Sequence, residues 1–511
     1  MKNRTPLMTA KEMKRFEEAA IGEQEIPSLV LMERAGLALR EALPKNGRVA
    51  IVCGRGNNGA DGVCLARLLG ETGRGCAVFF PEEGRETPEM LHQKKRLMQS
   101  NFPEIRCFFG QQGTPAALDA YDVIVDALFG IGLSRPVEGA ARDYILAMNS
   151  CRERGAFVLA VDIPSGVDGG SGKVLGDAVR ATRTVTFSVE KTGLVLFPGR
   201  ELCGELVTAP IGLPVPEKSL WYCFGGAPGA LMPKRPADSH KGTYGTVAVM
   251  AGCREMPGAA TLCTRAAYRS GAGIVRLLSE AEAAETVRRT VPEVIAQTLP
   301  EELSEEAFRE WADAELSKAA SLAAGPGLGS GRLAERCLDA ALRFEKPKVL
   351  DADALNGLAG RLNARAASLP ERLALLNEWL SPNTVLTPHK KELSRLLGVP
   401  VPELAERWTE LLMLLHESIR FVMVLKDACT AVVSSEGIYL NRSGNSGMAT
   451  GGSGDVLTGI LGALLAVLPP KEAADCAAYL HGCLGDAAAE RGGKQSLMAS
   501  DLIAMLPELL P

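Results

Sequence analysis

Residues 444–459 read GNSGMATGGSGDVLTG, and the apolar run Val456–Leu468 overlaps and follows them. Glycines this dense, ending directly in a helix that opens at Asp455 and Val456, form a nest of backbone N–H groups suited to a transferring phosphoryl group. Asp455 then stands in the first helical turn, beside the anion. A carboxylate there can also serve only to stabilise the helix N-terminus, but such stabilisation does not require a glycine array. The apolar run is too short for the roughly 20 residues that span a bilayer, so it reads as a buried helix.

Upstream, Val247–Met250, Lys348–Leu350, Thr384–Leu386 and Phe421–Leu425 are short apolar runs separated by helical patterns. They predict buried strands of a parallel sheet covered by helices. This segment opens with His240-Lys241-Gly242-Thr243-Tyr244-Gly245, a basic pair before a glycine-spaced turn, and a helix is expected from Pro257-Gly258-Ala259. Residues 210–236 carry six prolines and four glycines without a sustained period, so residues 213–235 are read as a linker between a first domain, 1–212, and a second, 236–511. In the first domain Val49–Cys53, Ala77–Phe80, Val123–Leu128 and Val158–Ile163 again alternate with helical patterns. The fold class is therefore α/β twice over.

A chain of 511 residues with 46% hydrophobic and 23% charged residues has enough apolar surface for two cores. A net charge of −5 gives no general electrostatic grip on nucleic acid or anionic lipid, which favours small-molecule partners. Thirteen scattered cysteines, none in a C-x-x-C pair, read as apolar fillers in a reducing compartment. The first twenty residues lack an apolar leader segment and read as the start of an amphipathic helix. A cytoplasmic protein follows as the expectation, together with homo-oligomeric assembly, no membrane partner and no nucleic acid.

In the first domain, strand Val49–Cys53 runs into Gly54-Arg55-Gly56-Asn57-Asn58-Gly59-Ala60-Asp61-Gly62 and then an apolar-periodic helix, Val63–Leu69. A glycine-dense strand-to-helix turn lets backbone approach phosphate, although the same loop can be only a tight turn. Two more polar strand ends join it: Asp126 before Leu128-Phe129-Gly130-Ile131-Gly132-Leu133-Ser134-Arg135-Pro136, and Asp162-Ile163-Pro164-Ser165-Gly166. Each acid could also cap the element after it. Ligands of open α/β sheets gather beyond the carboxyl ends of strands, so three such ends on one edge point to a site.

These motifs, with Ile26-Pro27-Ser28 and Leu31-Met32-Glu33-Arg34-Ala35-Gly36, resemble the NAD(P)H-hydrate epimerase family over nearly all of the first segment. The resemblance implies a Rossmann-like three-layer α/β domain. It implies that Asn57 to Asp61 and Gly130 to Pro136 hold the hydrate, while Asn58, Asp126 and Ser165 surround a potassium ion. Hard oxygen donors suit a hard cation. Epimerisation needs a proton donor and acceptor. Asp162 is the first candidate and Lys191 the second, the alternative for Lys191 being a solvated strand-end lysine. The family usually has proline at Arg55 and glycine at Ala60, and an alanine there is expected to restrict φ and loosen the phosphate grip.

The Gly-x-Gly-Asp of residues 452–455 resembles small-molecule kinases of the ribokinase-like superfamily. Together with His240-Lys241-Gly242-x-x-Gly245, Gly325-Pro326-Gly327-Leu328-Gly329, Leu350 to Asn356, Leu386-Thr387-Pro388-His389-x-x-Glu392 and Leu425-Lys426-x-x-x-Thr430, it is similar to NAD(P)H-hydrate dehydratase over nearly the whole second segment. By that resemblance Ala259, Gly327, His389 and Asp455 contact the hydrate. Lys426, Asp427, Ala428, Cys429, Thr430 and Gly454 contact the adenine nucleotide. His389 could also be a satisfied core histidine. The implied reaction phosphorylates the hydrate hydroxyl with Asp455 as base, using ADP and Mg²⁺, and phosphate then leaves to restore the ring. The substrates would be NADHX and NADPHX, with R and S forms interconverted by the first domain and the S form dehydrated by the second. Asp427, where glycine is usual, is expected to set a negative charge beside the nucleotide. The alternatives are a kinase for a vitamin precursor and, for the first segment, a non-enzymatic nucleotide-binding scaffold.

Overall fold

Seven short runs rich in β-branched and apolar residues build the sheet of the first unit, in the spatial order Ile105–Phe109, Cys76–Phe80, Val49–Cys53, Val123–Ala127, Phe157–Val161, Arg183–Phe187, Glu205–Ala209. All six pairings are parallel. The computed structural model describes residues 4–23, 25–216 and 218–510. They divide into two compact units, Pro6–Trp221 and Tyr222–Pro511, the latter including Met1–Thr5.

The chain of the first unit starts at Val49–Cys53, moves outward through Cys76–Phe80 to Ile105–Phe109, and returns to Val123–Ala127 on the other side of its first strand. Reversal of strand order opens a crevice at the carboxyl ends of Val49–Cys53 and Val123–Ala127. Backbone meets backbone there. The Gly54 amide donates to the Ala127 carbonyl at 2.9 Å, and a Cβ on Gly54 would lie 1.9 Å from the Leu128 carbonyl oxygen.

The helix after this turn is Asn57–Gly70, starting six residues before the predicted Val63. Asn57 to Gly62 are thus its first turns and not a loop. The glycines serve close packing: a Cβ on Gly59 would sit 2.0 Å from the Gly54 oxygen, and one on Gly62 2.7 Å from the Ala127 Cβ. Ala60 is helical and buried, so the expected restriction of φ has no consequence. The N-terminal stretch also differs from expectation. A strand, Arg4–Met8, precedes the helix Ala10–Gly22, and a Thr9–Glu12 capping box sets the helix start. Leu7 and Met8 of that strand pair in parallel with Glu190 and Lys191.

The second unit orders its parallel strands Ile295–Thr298, Ile274–Ser279, Thr246–Met250, Ser321–Ala324, Lys348–Leu350, Thr384–Leu386, Val422–Leu425, followed by the antiparallel Ala431–Ser434 and Gly437–Leu440. Its order reverses between Thr246–Met250 and Ser321–Ala324, where the Gly252 amide donates to the Pro326 carbonyl at 2.9 Å. The apolar run near the end forms the helix Ser453–Leu465, packed against Pro257–Arg269 so closely that a Cβ on Gly459 would lie 2.2 Å from the Cys263 oxygen. Among the described residues no helix is long and apolar enough to cross a membrane. The proline-rich stretch read as an irregular linker carries a strand, Trp221–Phe224, whose four side chains are buried. Four apolar residues in a row have no period to detect. All thirteen cysteines are free, eleven of them buried.

A methyl group at Gly54 has nowhere to go. Gly54→Ala should destabilise the first unit by about 3 kcal/mol, the upper end of ordinary overpacking. Hydrogen exchange would read this as roughly 100-fold faster amide exchange in Val49–Cys53 and Val123–Ala127, with Thr246–Met250 unchanged. Wild-type exchange in the first two strands would contradict the packing account.

Candidate functional sites

Asp162 follows the strand Phe157–Val161 in a left-handed backbone conformation, φ 64°, a strained state for a non-glycine residue. Its Oδ1 accepts three donors: Lys191 Nζ at 2.6 Å, Thr186 Oγ1 at 3.0 Å and the Phe187 amide at 3.2 Å. Lys191 also donates to Thr186 Oγ1 at 3.1 Å and to the Phe187 carbonyl at 3.2 Å, and is 1% exposed. The alternative of a solvated strand-end lysine is therefore excluded. Two further carboxyls sense this pair. Burial, reinforced by the Asp162 charge, pushes Glu17 up to about 7 and holds Asp61 well above the usual carboxylate range. Asp61 was expected near the substrate, whereas Glu17 and Thr186 were not singled out.

The second acid at a strand end makes a separate cluster. Asp126 is fully buried. Its Oδ2 accepts from the Ser165 amide at 2.7 Å, and its Oδ1 from Ser165 Oγ at 2.5 Å and the Leu128 amide at 3.3 Å. Ser165 Oγ in turn accepts from the Phe129 amide at 2.9 Å. Burial raises the Asp126 carboxyl to about 6 against these hydrogen bonds. Asn58 is buried in the first turn of its helix with Nδ2 unpartnered, and a Cβ on Gly130 would lie 3.2 Å from its Oδ1. Gly130 to Pro136 leave the strand end as a largely exposed loop, and Asn57 is exposed. Arg55 pairs with Glu82 at 3.2 Å.

In the second unit the strand ends and the glycine-rich helix start come together. Asp351, 1% exposed, follows the strand Lys348–Leu350. Its Oδ1 accepts from Lys426 Nζ at 2.6 Å, and its Oδ2 from Thr458 Oγ1 at 2.7 Å, one turn beyond Asp455. A Cβ on Gly454 would lie 3.3 Å from Lys426 Nζ. The ammonium is thus held at the helix N-terminus, where helix geometry leaves the Gly454 and Asp455 amides without intrahelical acceptors. The helix begins at Ser453, two residues before the predicted start, so Gly454 belongs to it. Burial and the Asp351 charge push Asp455 up to about 6. From the helix Pro470–Gly492, His481 Nε2 lies 2.9 Å from the Ser453 oxygen, and burial lowers His481 to about 4, so it is neutral at pH 7.

Ala259 and Gly327 are neighbours across the strand-order reversal: Gly327 has φ 60° and a Cβ on it would meet the Ala259 Cβ at 2.8 Å. His389 is exposed, so it is not a core histidine, and its Nδ1 accepts from the Lys391 and Glu392 amides at the start of the helix Lys390–Leu397. Ala428 is exposed, Cys429 buried, and Thr430 donates to the Asp427 carbonyl at 3.4 Å. Asp427, expected to set a negative charge beside the nucleotide, is paired with Lys390 at 2.7 Å, which offsets that charge locally. Asp351 and Thr458 lie within the sequence motifs but carry no predicted role. The strand-end rule that found Asp126 and Asp162 applies equally to Asp351.

Residues 247–508 match the family model described as NAD(P)H-hydrate dehydratase, and residues 28–193 match the YjeF-related protein N-terminus. Bifunctional NAD(P)H-hydrate repair enzymes are similar along the whole length. That of Thermofilum pendens is 36% identical, covering 98% of this chain and 95% of that protein. That of Moorella thermoacetica is 35% identical, covering 99% and 96%, and that of Escherichia coli is 32% identical, covering 98% and 93%. A solved ADP/ATP-dependent NAD(P)H-hydrate dehydratase from Bacillus subtilis, co-crystallised with ATP and Mg²⁺, is 32% identical over 55% of this chain and 94% of that chain, with a TM-score of 0.46. The glycine cradle with its lysine and aspartates, and the separate aspartate–lysine pair, therefore sit in a chain that belongs to the family of bifunctional NAD(P)H-hydrate repair enzymes.

Proposed function

We infer that the second unit dehydrates the S form of NADHX and NADPHX with ADP, giving AMP and phosphate, and that the first unit interconverts the R and S forms. The observation that carries this reading is Lys426 held by Asp351 against Gly454, the aspartate itself fixed by Thr458, with Asp455 in the same helical turn. A phosphoryl group in that cradle meets unpaired amides, the helix dipole and one ammonium. Asp455 takes the proton of the attacking hydroxyl, and phosphate then leaves far more readily than hydroxide. Mg²⁺, bound with the nucleotide, would supply further neutralisation of the phosphoryl oxygens. His389, Ala259 and Gly327 would border the hydrate, and Lys426 to Thr430 the adenine nucleotide.

In the first unit Asp162 is the base, with Oδ1 saturated by three donors and Oδ2 left for the substrate. Lys191 keeps it oriented. Gly130 to Pro136 would close over the hydrate, and Asn57 to Asp61 would lie along its phosphates. Asn58 Oδ1, Asp126 and Ser165 Oγ, three hard oxygens with a single carboxylate among them, fit a monovalent cation such as K⁺. Such an ion would hold the Phe129–Gly130 loop to the helix Asn57–Gly70.

Three outcomes test this. Asp455→Asn should slow dehydration by about 10²- to 10⁴-fold, the usual weight of a general base, without changing epimer interconversion. In the wild type, dehydration should fall as pH drops below about 6, because the base acts ionised and burial raises its carboxyl to that value. Supplied with a mixed hydrate pool, Asp162→Ala should restore near-ultraviolet absorbance quickly for only the S fraction. A variant that repairs both epimers at the wild-type rate would reduce the first unit to a scaffold.

A further inference from the structure

We propose that Glu17 is the proton donor that complements Asp162, so that epimerisation uses a carboxylate and a carboxylic acid drawn from different segments of the chain. The proposal rests on reading the first unit as the epimerase.

Glu17 lies on the helix Ala10–Gly22, on the same face as Met13 and Ala20, four residues after one and three before the other. Both of those are buried in the core. An apolar residue would serve packing better at Glu17. No hydrogen bond or ion pair ties its carboxyl to a described residue, although the helix start is already fixed by Thr9 and Glu12. The preceding strand delivers the helix to the site. Met8 pairs with Lys191, and a Cβ on Gly169 would lie 3.2 Å from the Ala10 Cβ.

The charges that bear most on Glu17 are those of Asp162, Lys191 and its neighbour Glu18, and Glu17 bears in turn on Asp61. Lys191 is committed to Asp162 at 2.6 Å. Glu17, Asp61 and Asp162 therefore share one ammonium, and a buried cluster so composed keeps at least one proton near neutrality. Asp162 is the member that takes that ammonium, with Thr186 Oγ1 and the Phe187 amide as further donors to the same oxygen. Between the other two, Glu17 is the one on an outer helix, where its proton can be renewed from solvent, whereas Asp61 lies in the helix packed on the strand ends. Two carboxyls in such different surroundings divide acid and base work.

The hydrate carries its hydroxyl on the ring carbon bonded to nitrogen. Asp162 takes the hydroxyl proton, the carbon–oxygen double bond forms, and the carbon–nitrogen bond breaks with its electron pair moving to nitrogen. Glu17 protonates that nitrogen. Rotation about the adjoining carbon–carbon bond presents the other carbonyl face. Nitrogen then attacks, Glu17 recovers its proton, and Asp162 returns its own to oxygen. Nothing is oxidised or reduced, and no co-reactant is needed.

The test uses the full chain, in which wild-type amide exchange in Val49–Cys53 and Val123–Ala127 reports that the first unit is folded and dehydration of purified S hydrate reports that the second is. In Glu17→Gln, interconversion of purified epimers followed by chromatography should be slower by about 10²-fold or more, with S-form dehydration at the wild-type rate. Glu17→Asp should restore part of the loss. The wild-type epimerisation rate should fall above pH 7 as Glu17 ionises, and that limb should vanish in Glu17→Gln, which a packing role would not produce. Interconversion within twofold of wild type in Glu17→Gln would overturn the proposal. If Asp162→Ala also kept full interconversion, the epimerase reading itself would fall; if only Asp162→Ala lost it, Glu17 alone would be excluded.

Discussion

Both sites depend on backbone approaching backbone at the carboxyl edge of a parallel sheet, closer than any side chain would allow. In the first unit Gly54 lies against Leu128 and Gly59 against Gly54; in the second, a Cβ on Gly325 would stand 1.8 Å from the Asp351 oxygen. In the first unit these contacts sit where the strand order turns back on itself, the place where an open α/β sheet must leave a crevice, and in the second the Gly325–Asp351 contact lies one strand along from that point. They fix the helix N-termini and strand-end acids relative to one another. A methyl group at any of them would separate the parts of a site before it changed any chemistry.

On that frame each unit builds the same electrostatic unit from different parts. A lysine on one element pairs with an aspartate at a strand end, at 2.6 Å in both cases, and a threonine hydroxyl completes the aspartate's hydrogen bonds, Thr186 in the first unit and Thr458 in the second. The pair is held in low-dielectric surroundings, so a third carboxyl nearby cannot readily ionise. That third carboxyl is Glu17 in one unit and Asp455 in the other, pushed up to about 7 and about 6. Each site thus holds a carboxyl able to give or take a proton near neutral pH.

Much of this was legible in the sequence. The strands Val49–Cys53, Lys348–Leu350 and Thr384–Leu386 are found with the predicted limits, because a buried parallel strand is a short, uninterrupted apolar run. The helix start at Asn57 was hidden, because Gly-Asn-Asn-Gly resembles a loop and only tight packing against Gly54 and Ala127 makes it helical. Glu17 was hidden for a different reason: on an amphipathic helix one more glutamate looks solvated until the opposite wall, Asp162 and Lys191, is in place. Asp427 shows the converse. Its charge was plain in the sequence, while its neutralisation by Lys390, thirty-seven positions away, required the fold.

The account stands or falls on what the glycine cradle and Asp455 do with the terminal phosphate of the nucleotide. The direct measurement is stoichiometry in a single reaction of S hydrate with ADP, following inorganic phosphate, AMP and near-ultraviolet absorbance together. The account predicts one phosphate and one AMP released for each reduced nicotinamide restored. Accumulation of a stable phosphorylated hydrate, with AMP formed but no absorbance recovered, would contradict it.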